Sequence, residues 1–444
     1  MSQSSAYAKN SKGFTLIEIM IAITLGLLLT VGIMALFSSV SRVNRAEEGL
    51  ARLQENGRYA ITRVIDDLRM ANGQYCSNSG GLAQPNTYVL QDTRRAPTVF
   101  VNGLTLPDMT GTPTPPTGWP ANTPYPLSPR YFIQGYECTS GTCTPAAPAT
   151  FPAIGVAVNN RARGSDLLTI RGIRSNGWSL RANGSQQVCA GANLVQLTVN
   201  TMPAQAAAPP LPAVPADPPL NFVAGDRAML SDCSGSEIIS VNVGGTATSG
   251  TFTPVGNFND TTVGCVGISS DTRLFNFSRD FQTVSYYLRV TANADPDDLG
   301  RLAPSLVRSV NGGAPQVIVD GVDRLDFRYG VEDVNGATFF LTANQVDGNT
   351  LGLTCPPPPV GFDSGGPVDT ACLWRSIKSI EVSMLLNTVN SFDVSADEEK
   401  FFYSPISDTV AQTPAAATLP TTLPMGHMMR REFRALVAIR NYSP

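Results

Sequence analysis

The stretch from Gly13 to Val40 constrains this chain more than any other, and it reads GFTLIEIMIAITLGLLLTVGIMALFSSV. Between Phe14 and Ser41 the only ionisable side chain is Glu18, and almost all the other residues are apolar. Roughly twenty such residues, at about 1.5 Å of rise each, cover the ~30 Å hydrocarbon core of a bilayer. The stretch therefore predicts a membrane-spanning helix.

The residues before this helix are polar and include Lys9 and Lys12. Lysines on a short N-terminal flank favour an orientation in which that end stays in the cytoplasm. A secretory signal would have a shorter apolar region, of about 7–15 residues, that ends in a small-residue cleavage site. The longer run found here indicates a retained anchor.

The six residues from Gly13 to Glu18, GFTLIE, lie where the polar leader meets the apolar helix. This segment resembles the processing site of type IV prepilins and pseudopilins. The resemblance implies that a prepilin peptidase cuts after Gly13 and methylates the new amino terminus at Phe14. It also implies that the helix then holds the subunit in the membrane and later in the filament.

Glu18 is a carboxylate inside the predicted membrane span. Such a group costs several kcal/mol in lipid unless it is neutralised or paired, so it indicates a function. In the pilin interpretation its partner is the Phe14 ammonium of a neighbouring subunit, and the pair sets the axial register of assembly. The alternative is that Glu18 lies near the helix end and merely extends to the interface.

Ala22, Gly26 and Thr30 follow Glu18 at intervals of four residues and therefore lie on one face of the helix. Small side chains at such positions let a neighbouring helix approach closely. The stripe predicts helix–helix packing, although the same spacing also arises by chance in membrane helices that contain glycine and alanine.

Beyond Val40 no breaking signal occurs before Asn72-Gly73, so the helix is predicted to continue over residues 41–72. Apolar and small residues at helical spacing predict its buried face: Leu50, Leu53, Gly57, Ala60, Ile61, Val64, Leu68 and Ala71. Charged residues are assigned to the exposed face: Arg45, Glu47, Glu48, Arg52, Glu55, Arg58, Arg63, Asp66 and Asp67. The result is a rod of roughly 59 residues, about 88 Å long.

After Gly73 the apolar pattern changes to the two-residue period of strands. Eleven segments are predicted as strands: Leu167–Ile173, Leu194–Asn200, Arg227–Ser231, Glu237–Asn242, Val284–Thr291, Leu306–Val310, Val317–Val319, Leu325–Val331, Thr338–Leu341, Ile377–Leu386 and Glu432–Ile439. Asn311-Gly312 and Asn335-Gly336 are hairpin signals. One long helix followed by strands and short turns predicts an α+β fold, with the helix packed on an antiparallel β-sheet domain.

Four proline-rich stretches interrupt the strands, at residues 107–129, 203–219, 355–367 and 409–425. Proline cannot complete a strand ladder, so we expect surface loops or insertions with polyproline character. Their functional interpretation is a contact surface for a partner, and their simpler interpretation is decoration of the domain surface.

Eight cysteines follow the membrane helix: Cys76, Cys138, Cys143, Cys189, Cys233, Cys265, Cys355 and Cys372. An even number without a C-x-x-C motif, in an extracytoplasmic domain, indicates disulfides. Cys138–Cys143 brackets a tight turn and Cys355–Cys372 closes another local loop, while the other four allow three connectivities. A zinc site is the alternative, but its usual ligand spacing is missing.

Composition and motifs argue against an enzyme, a cofactor or a nucleic-acid partner. The 31 basic and 35 acidic residues give a net charge of −4, which does not indicate nucleic acid. His427 is the single histidine, so a catalytic dyad or triad would have to include it, and a loop or packing role is simpler. The acidic turn around Asn293 lacks the glycine and closing glutamate of a calcium loop.

Four further segments resemble PilW-type minor pilins, which are similar to the J-type pseudopilins of type II secretion: residues 164–172, 230–239, 306–331 and 430–441. The resemblance implies a role in the tip complex that primes pilus assembly in the inner membrane. The implied partners are other minor and major pilins, the prepilin peptidase and a tip adhesin. The rivals are a J-type pseudopilin and an adhesin that binds directly.

This interpretation divides the chain into a leader, residues 1–13, and a transmembrane helix, residues 14–40. The amphipathic continuation, residues 41–72, then leads into an extracytoplasmic domain, residues 73–444. The implied locations are the inner membrane, with the amino terminus in the cytoplasm and the domain in the periplasm, and the pilus tip.

Overall fold

The computed structural model describes most of the chain in separate ranges: residues 13–73, 97–106, 108, 112–180, 184–191, 193–207, 215–232, 235–255, 272–293, 300–354, 371–389, 400–414 and 428–439. These residues form one long helix and a large β-sheet domain. The predicted α+β fold class is therefore confirmed.

The long helix, α1, runs without interruption over Leu16–Arg69. Its N-cap is Thr15, which forms a capping box with Glu18 and so satisfies backbone N–H groups at the start of the helix. At the other end Asn72 adopts a positive φ of 61°, which turns the chain away from the helical direction. At 1.5 Å per residue the helix is about 81 Å long.

The buried face of α1 includes Gly49, Leu53, Gly57, Ala60, Val64, Asp67 and Leu68. Most of the predicted apolar face is therefore buried, with Leu50 and Ile61 partly covered. The assignment of Asp67 to the exposed face was wrong. Asp67 is only 5% exposed, because partners from the sheet satisfy its carboxylate.

The described residues form 21 strands: β1 Thr98–Val99, β2 Tyr125–Pro126, β3 Ile133–Cys138, β4 Cys143–Thr144, β5 Leu167–Ile173, β6 Trp178–Ser179, β7 Gln186–Ala190, β8 Asn193–Asn200, β9 Arg227–Ser231, β10 Ser236–Gly245, β11 Ser249–Pro254, β12 Arg273–Asn276, β13 Phe281–Ala292, β14 Leu302–Val310, β15 Gln316–Asp320, β16 Val322–Glu332, β17 Thr338–Leu341, β18 Ile377–Asn387, β19 Phe401–Tyr403, β20 Ser407–Gln412 and β21 Arg430–Ala438. The short helices are α2 Phe277–Asp280, α3 Ala343–Gly348 and α4 Cys372–Arg375, and Pro129–Tyr131 is a 3₁₀ turn.

These strands form four sheets. The four-stranded sheet has the order β17-β16-β18-β21 and the six-stranded sheet the order β15-β14-β13-β5-β3-β4. The nine-stranded sheet contains β6-β12-β9-β10-β11-β8-β7 with β1 and β2, and β19 and β20 form a separate hairpin. Among the named strands described here, β1 with β10 is the one parallel pair.

Each of the eleven predicted strand segments lies on an observed strand, and both predicted hairpins are present. Asn311 and Gly312 have φ angles of 51° and 68°, as the central residues of a tight turn require. The Gly313 N–H donates to the Val310 carbonyl across this turn, which begins the connection from β14 to β15. The ten other strands were not predicted: β1, β2, β3, β4, β6, β7, β11, β12, β19 and β20. Those of two residues, such as β1 and β6, carry too few positions for an alternating pattern.

The largest hydrophobic core lies between α1 and the four- and six-stranded sheets. Leu53, Val64 and Leu68 of α1 belong to one buried cluster with Val382 of β18 and Val437 of β21. The nine-stranded sheet has its own cluster around Trp178 and Phe252. It shares another cluster, around Val99 and Phe275, with Ile173 of β5 and Phe281 of β13 in the six-stranded sheet. The chain therefore holds a helix-bearing module and an additional lobe whose core is partly its own.

Two proline-rich stretches are more ordered than predicted. In residues 107–129, Tyr125 and Leu127 are buried and β2 pairs with β1, so the expectation of a surface loop was wrong there. Proline is tolerated because β2 has no second strand partner among the described residues. Part of 409–425 likewise belongs to β20. Residues 355–367 lie outside the described residues.

Candidate assembly site on the long helix

The first half of α1 makes no contact with the sheet domain. Every residue from Gly13 to Val40 is exposed, and Phe14 is 84% exposed. By length and composition this part of the helix could cross a membrane. An exposed apolar surface of this size requires lipid or other protein around it.

Glu18 closes the capping box at the start of α1. Its Oε2 accepts hydrogen bonds from the backbone N–H of Thr15 at 3.0 Å and from the Thr15 hydroxyl at 3.0 Å. In return the Glu18 backbone N–H donates to Thr15 Oγ1 at 3.3 Å. The carboxylate is thus held beside the backbone of residue 15, one residue beyond the predicted amino terminus at Phe14. That predicted terminus would therefore form close to Glu18.

Ala22, Gly26 and Thr30 lie on the helix as the sequence pattern predicted, and all three are exposed. A Cβ added at Gly26 would meet nothing within 4 Å, so the position is open to a neighbouring helix. The Thr30 hydroxyl donates to the Leu27 carbonyl at 2.9 Å and therefore adds no unsatisfied donor to this face. The role of the stripe in assembly remains a prediction.

The second half of α1 approaches the sheet most closely at Gly57. A Cβ at this position would lie 2.2 Å from Cζ of Phe433 on β21, which is far inside van der Waals contact. The glycine therefore allows the Phe433 ring to lie against the helix backbone. This contact fixes the helix against β21.

Asp67 fastens the end of α1 to two strands of the six-stranded sheet. Its Oδ2 accepts from the Tyr286 hydroxyl on β13 at 2.6 Å and from Arg308 Nε on β14 at 2.6 Å. Its Oδ1 accepts from Arg308 Nη2 at 3.3 Å, and Arg174 Nη2 lies 3.7 Å away. These partners are more than one hundred residues distant in sequence, so no local sequence pattern indicates the contacts around Asp67.

The environment of Asp67 favours its ionised form. Burial by itself would raise its pKa, but the hydrogen bonds from Arg308 and Tyr286 and the charges of Arg308 and Arg174 outweigh that effect. The pKa of Asp67 is therefore held below its ordinary value of 3.8. Burial and the Asp67 carboxylate raise the pKa of Tyr286, so its hydroxyl stays protonated and donates.

A second buried carboxylate connects two sheets. Asp166 accepts the backbone N–H of Cys138 on β3 at 3.1 Å and that of Phe327 on β16 at 3.1 Å. Burial and the nearby charge of Asp326 raise the pKa of Asp166 well above its ordinary value. The group joins the six-stranded sheet to the four-stranded sheet, and no motif in the sequence indicated it.

The structure joins Cys138 and Cys143 by a disulfide at the β3–β4 turn. Arg161, a buried cation, donates to Cys143 Sγ at 3.4 Å and to the Pro152 carbonyl at 2.7 Å. Cys189 and Cys372 are also disulfide-bonded. The predicted pairing of Cys372 with Cys355 remains a prediction, because Cys355 lies outside the described residues.

We expect non-reducing mass spectrometry of the native protein to show no alkylation of Cys138 or Cys143. Replacing both with serine should lower the free energy of unfolding by no more than about 2–3 kcal/mol, because the disulfide closes a very short loop. Denaturant unfolding of the variant and the parent measures this difference. An alkylatable Cys138 in the native protein would contradict the pairing.

The candidate metal and catalytic residues of the sequence analysis lie only partly within the described part of the chain. Within the described ranges no group of three or more His, Cys, Asp or Glu residues could hold a metal ion. His427 and most of the acidic turn that follows Asn293 lie outside those ranges.

Two comparisons with protein families bear on this geometry. Residues 8–34 match the model of the prokaryotic N-terminal methylation motif. Residues 285–441 match the model described as Type IV Pilus-assembly protein W, which covers β13 to β21. Neither the curated proteins nor the solved structures gave a match. The chain is therefore similar to PilW in its C-terminal third and to proteins with the methylation motif at its N-terminus, while all strands of the nine-stranded sheet lie outside the two matches.

Proposed function

We propose that this chain, a type IV pilus-related pilin of PilW type, is a minor pilin of the tip complex that initiates pilus assembly. The observation that supports the proposal is the connection of two matched regions by one helix. The methylation motif lies at the exposed start of α1, and the other end of α1 is fastened by Asp67 to β13 and β14 in the PilW region.

This geometry suits a subunit that is moved from a membrane into a filament. The exposed apolar half of α1 exchanges lipid for neighbouring helices, and Glu18 pairs with the Phe14 ammonium of a neighbour. Because Gly57 and Asp67 hold the second half of α1 on the sheets, the domain moves with the helix. Because this connection is rigid, the position of the helix in the filament fixes the position of the domain at the pilus tip.

The proposed location follows from the same features. The leader stays in the cytoplasm, α1 crosses the inner membrane, and the domain lies in the periplasm until assembly carries it to the pilus tip. The proposed partners are the prepilin peptidase, other minor and major pilins, and a tip adhesin. Adhesion and twitching motility would then depend on this chain through the pilus.

Deletion of the gene tests the proposal. Loss of surface pili, restored by the wild-type chain, supports a priming role. Loss of protein export with normal pili would favour the J-type pseudopilin. Normal pili with poor adherence would favour a direct adhesin, for which the additional lobe outside the PilW match is the candidate surface.

Processing gives a separate prediction. We expect Gly13→Val to leave an uncleaved precursor in the membrane, because the peptidase site then presents a branched side chain where the motif has glycine. A Cβ at Gly13 meets nothing within 4 Å, so folding should be unaffected. Mass spectrometry of the purified amino terminus measures the cut, and Ile17→Val serves as the control that should be processed normally.

In the wild-type chain, the same measurement should find methylated Phe14 at the amino terminus. Detection of intact Met1, or of a terminus beyond Val40, would overturn the assignment of the cleavage site.

A further inference from the structure

Strand β21 differs from the other strands that end a sheet. It has nine residues, whereas the other terminal strands of the three larger sheets have two to five: β2, β4, β6, β7, β15 and β17. Its pairing with β18 is continuous from Arg430 to Ala438 without a bulge. It also contains no proline or glycine. Long, regular edges are normally interrupted in proteins, because they pair with other chains.

The register shows which backbone groups of β21 face outward. The Ile439 N–H donates to the Lys378 carbonyl, and the Thr388 N–H donates to the Met429 carbonyl. Because hydrogen-bonded pairs alternate in an antiparallel ladder, the odd-numbered residues of β21 bond to β18. The even-numbered residues direct their N–H and C=O groups away from β18. No backbone hydrogen bond within the described ranges uses these groups in Glu432, Arg434, Leu436 or Ala438.

The side chains along the edge of β21 determine which kind of added strand could pair with it. Glu432 already accepts from Ser404, and Arg434 already pairs with Glu381. Leu436 is 60% exposed and Ala438 is exposed, so the C-terminal half of the edge is apolar and uncovered. An added strand that fits this half carries apolar side chains opposite Leu436 and Ala438.

We propose that the outer edge of β21 receives an extended, apolar segment of a different pilin subunit, which adds a strand to the four-stranded sheet. We infer this partner from the position of the β21 edge beside α1, and the inference rests on the proposed function. Phe433 of β21 lies directly against Gly57 of α1, so the edge borders the helix along which subunits would assemble. A neighbour packed along α1 brings its own domain beside this edge.

A second copy of this chain is the alternative occupant, and amide hydrogen exchange distinguishes it. In the antiparallel register centred on Arg434, two copies of β21 would place Arg434 opposite itself, and like charges directly opposite each other are destabilising. The register that pairs Glu432 with Arg434 would place Leu436 opposite Arg430. The register centred on Leu436 avoids both arrangements, but it pairs only residues 434–438 of the two strands. An apolar strand from another subunit can pair along the whole edge.

Amide hydrogen exchange on the full-length chain tests the pairing. The chain is compared in membranes from cells that contain the other pilins and from cells that lack them. We expect exchange at Glu432, Arg434, Leu436 and Ala438 to slow by about tenfold or more when the other pilins are present. Phe433, Ala435 and Val437 should be protected in both samples, because they already bond to β18.

A substitution at Leu436 tests the consequence for assembly. Leu436→Pro removes an outward N–H and leaves the ladder to β18 intact, and proline is tolerated on such an edge. The matched control Leu436→Ala removes the same side chain but keeps the N–H. We expect the proline variant to reduce crosslinking of this chain to other pilins and surface piliation several-fold more than the alanine variant does, at equal amounts of folded protein.

The outcomes separate this inference from the proposed function. Unchanged exchange at the four even-numbered residues, or full piliation with Leu436→Pro in a strain whose piliation requires this chain, would overturn strand addition alone. Protection that appears in the isolated chain and disappears on dilution would replace the partner with a second copy and overturn the proposal as stated. A deletion strain with normal pili would overturn the priming role instead.

Discussion

Replacing Asp67 with alanine is expected to lower the free energy of unfolding by about 3–5 kcal/mol, because removal of one member of a buried ion pair leaves the other charge uncompensated. Arg308 Nε lies 2.6 Å from the Asp67 carboxylate and Tyr286 donates to the same oxygen at 2.6 Å. The variant would leave the Arg308 guanidinium without its carboxylate beneath the helix, and the Tyr286 hydroxyl would keep only the Arg63 carbonyl, at 3.3 Å. The effect should be seen as a lower midpoint in denaturant unfolding of the full chain in detergent.

The adjacent residue provides the control for this experiment. Asp66 has the same side chain and lies on the exposed face of α1, so Asp66→Ala should change the free energy of unfolding by no more than about 0.5 kcal/mol. Equal effects of the two substitutions would show that Asp67 does not fasten the helix. Combining Asp67→Ala with Arg308→Met should recover part of the loss, because the cation closest to the missing carboxylate is then removed as well and only Arg174 is left.

The Asp67 carboxylate also predicts that the free energy of unfolding depends on pH. Because the pKa of Asp67 is lower in the folded protein than its ordinary value of 3.8, its ionised form stabilises the fold above that value. This contribution to stability is lost as the pH falls through the lower pKa that Asp67 has in the folded protein. The difference in stability between the wild type and Asp67→Ala should therefore be constant near neutral pH and shrink below about pH 4.

Replacing Glu18 with alanine is expected to reduce incorporation into the pilus strongly while the amount of membrane-bound protein stays the same. The sheet domain is built from residues beyond the membrane helix, so its fold and disulfides should be unaffected. The substitution removes the partner of the neighbouring Phe14 ammonium, at a cost of about 3–5 kcal/mol if the pair is buried. Crosslinking to other pilins in the membrane and counts of surface pili measure the effect.

The capping box requires a control for Glu18. Glu18→Ala also removes the hydrogen bonds between Glu18 and Thr15. Loss of a helix cap lowers the free energy of unfolding by about 1 kcal/mol. Thr15→Ala removes the cap hydroxyl but keeps the carboxylate, so it should assemble far better than Glu18→Ala. Wild-type crosslinking and piliation with Glu18→Ala would show that small-residue packing alone supports assembly.

The position of the subunit limits the size of this effect. A subunit at the extreme tip has no neighbour above it and therefore makes one of the two possible pairings. If this chain occupies that position, Glu18→Ala removes a single contact, and the loss of piliation should be smaller than that of the same change in an internal minor pilin.

Much of the fold follows from local patterns. The run from Gly13 to Val40 determines a long apolar helix, since a helix satisfies its backbone hydrogen bonds within itself. Alternation of apolar residues located strands such as Leu167–Ile173, and Asn311-Gly312 located a hairpin, because period and turn chemistry act over a few residues. Strands of two residues, such as β1, take their position from neighbouring strands and carry no such signal.

The sequence by itself determined the helix, the methylation motif, the main strands and the local Cys138–Cys143 bridge. Only the tertiary structure decided that Asp67 is buried, since its charge suggests exposure until Tyr286 and Arg308 come from more than two hundred residues away to satisfy it. It also decided which strand lies at the edge of its sheet. The alternating pattern of β21 predicts which of its side chains face inward. Whether its outward N–H groups are hydrogen-bonded depends instead on whether another strand lies beside it.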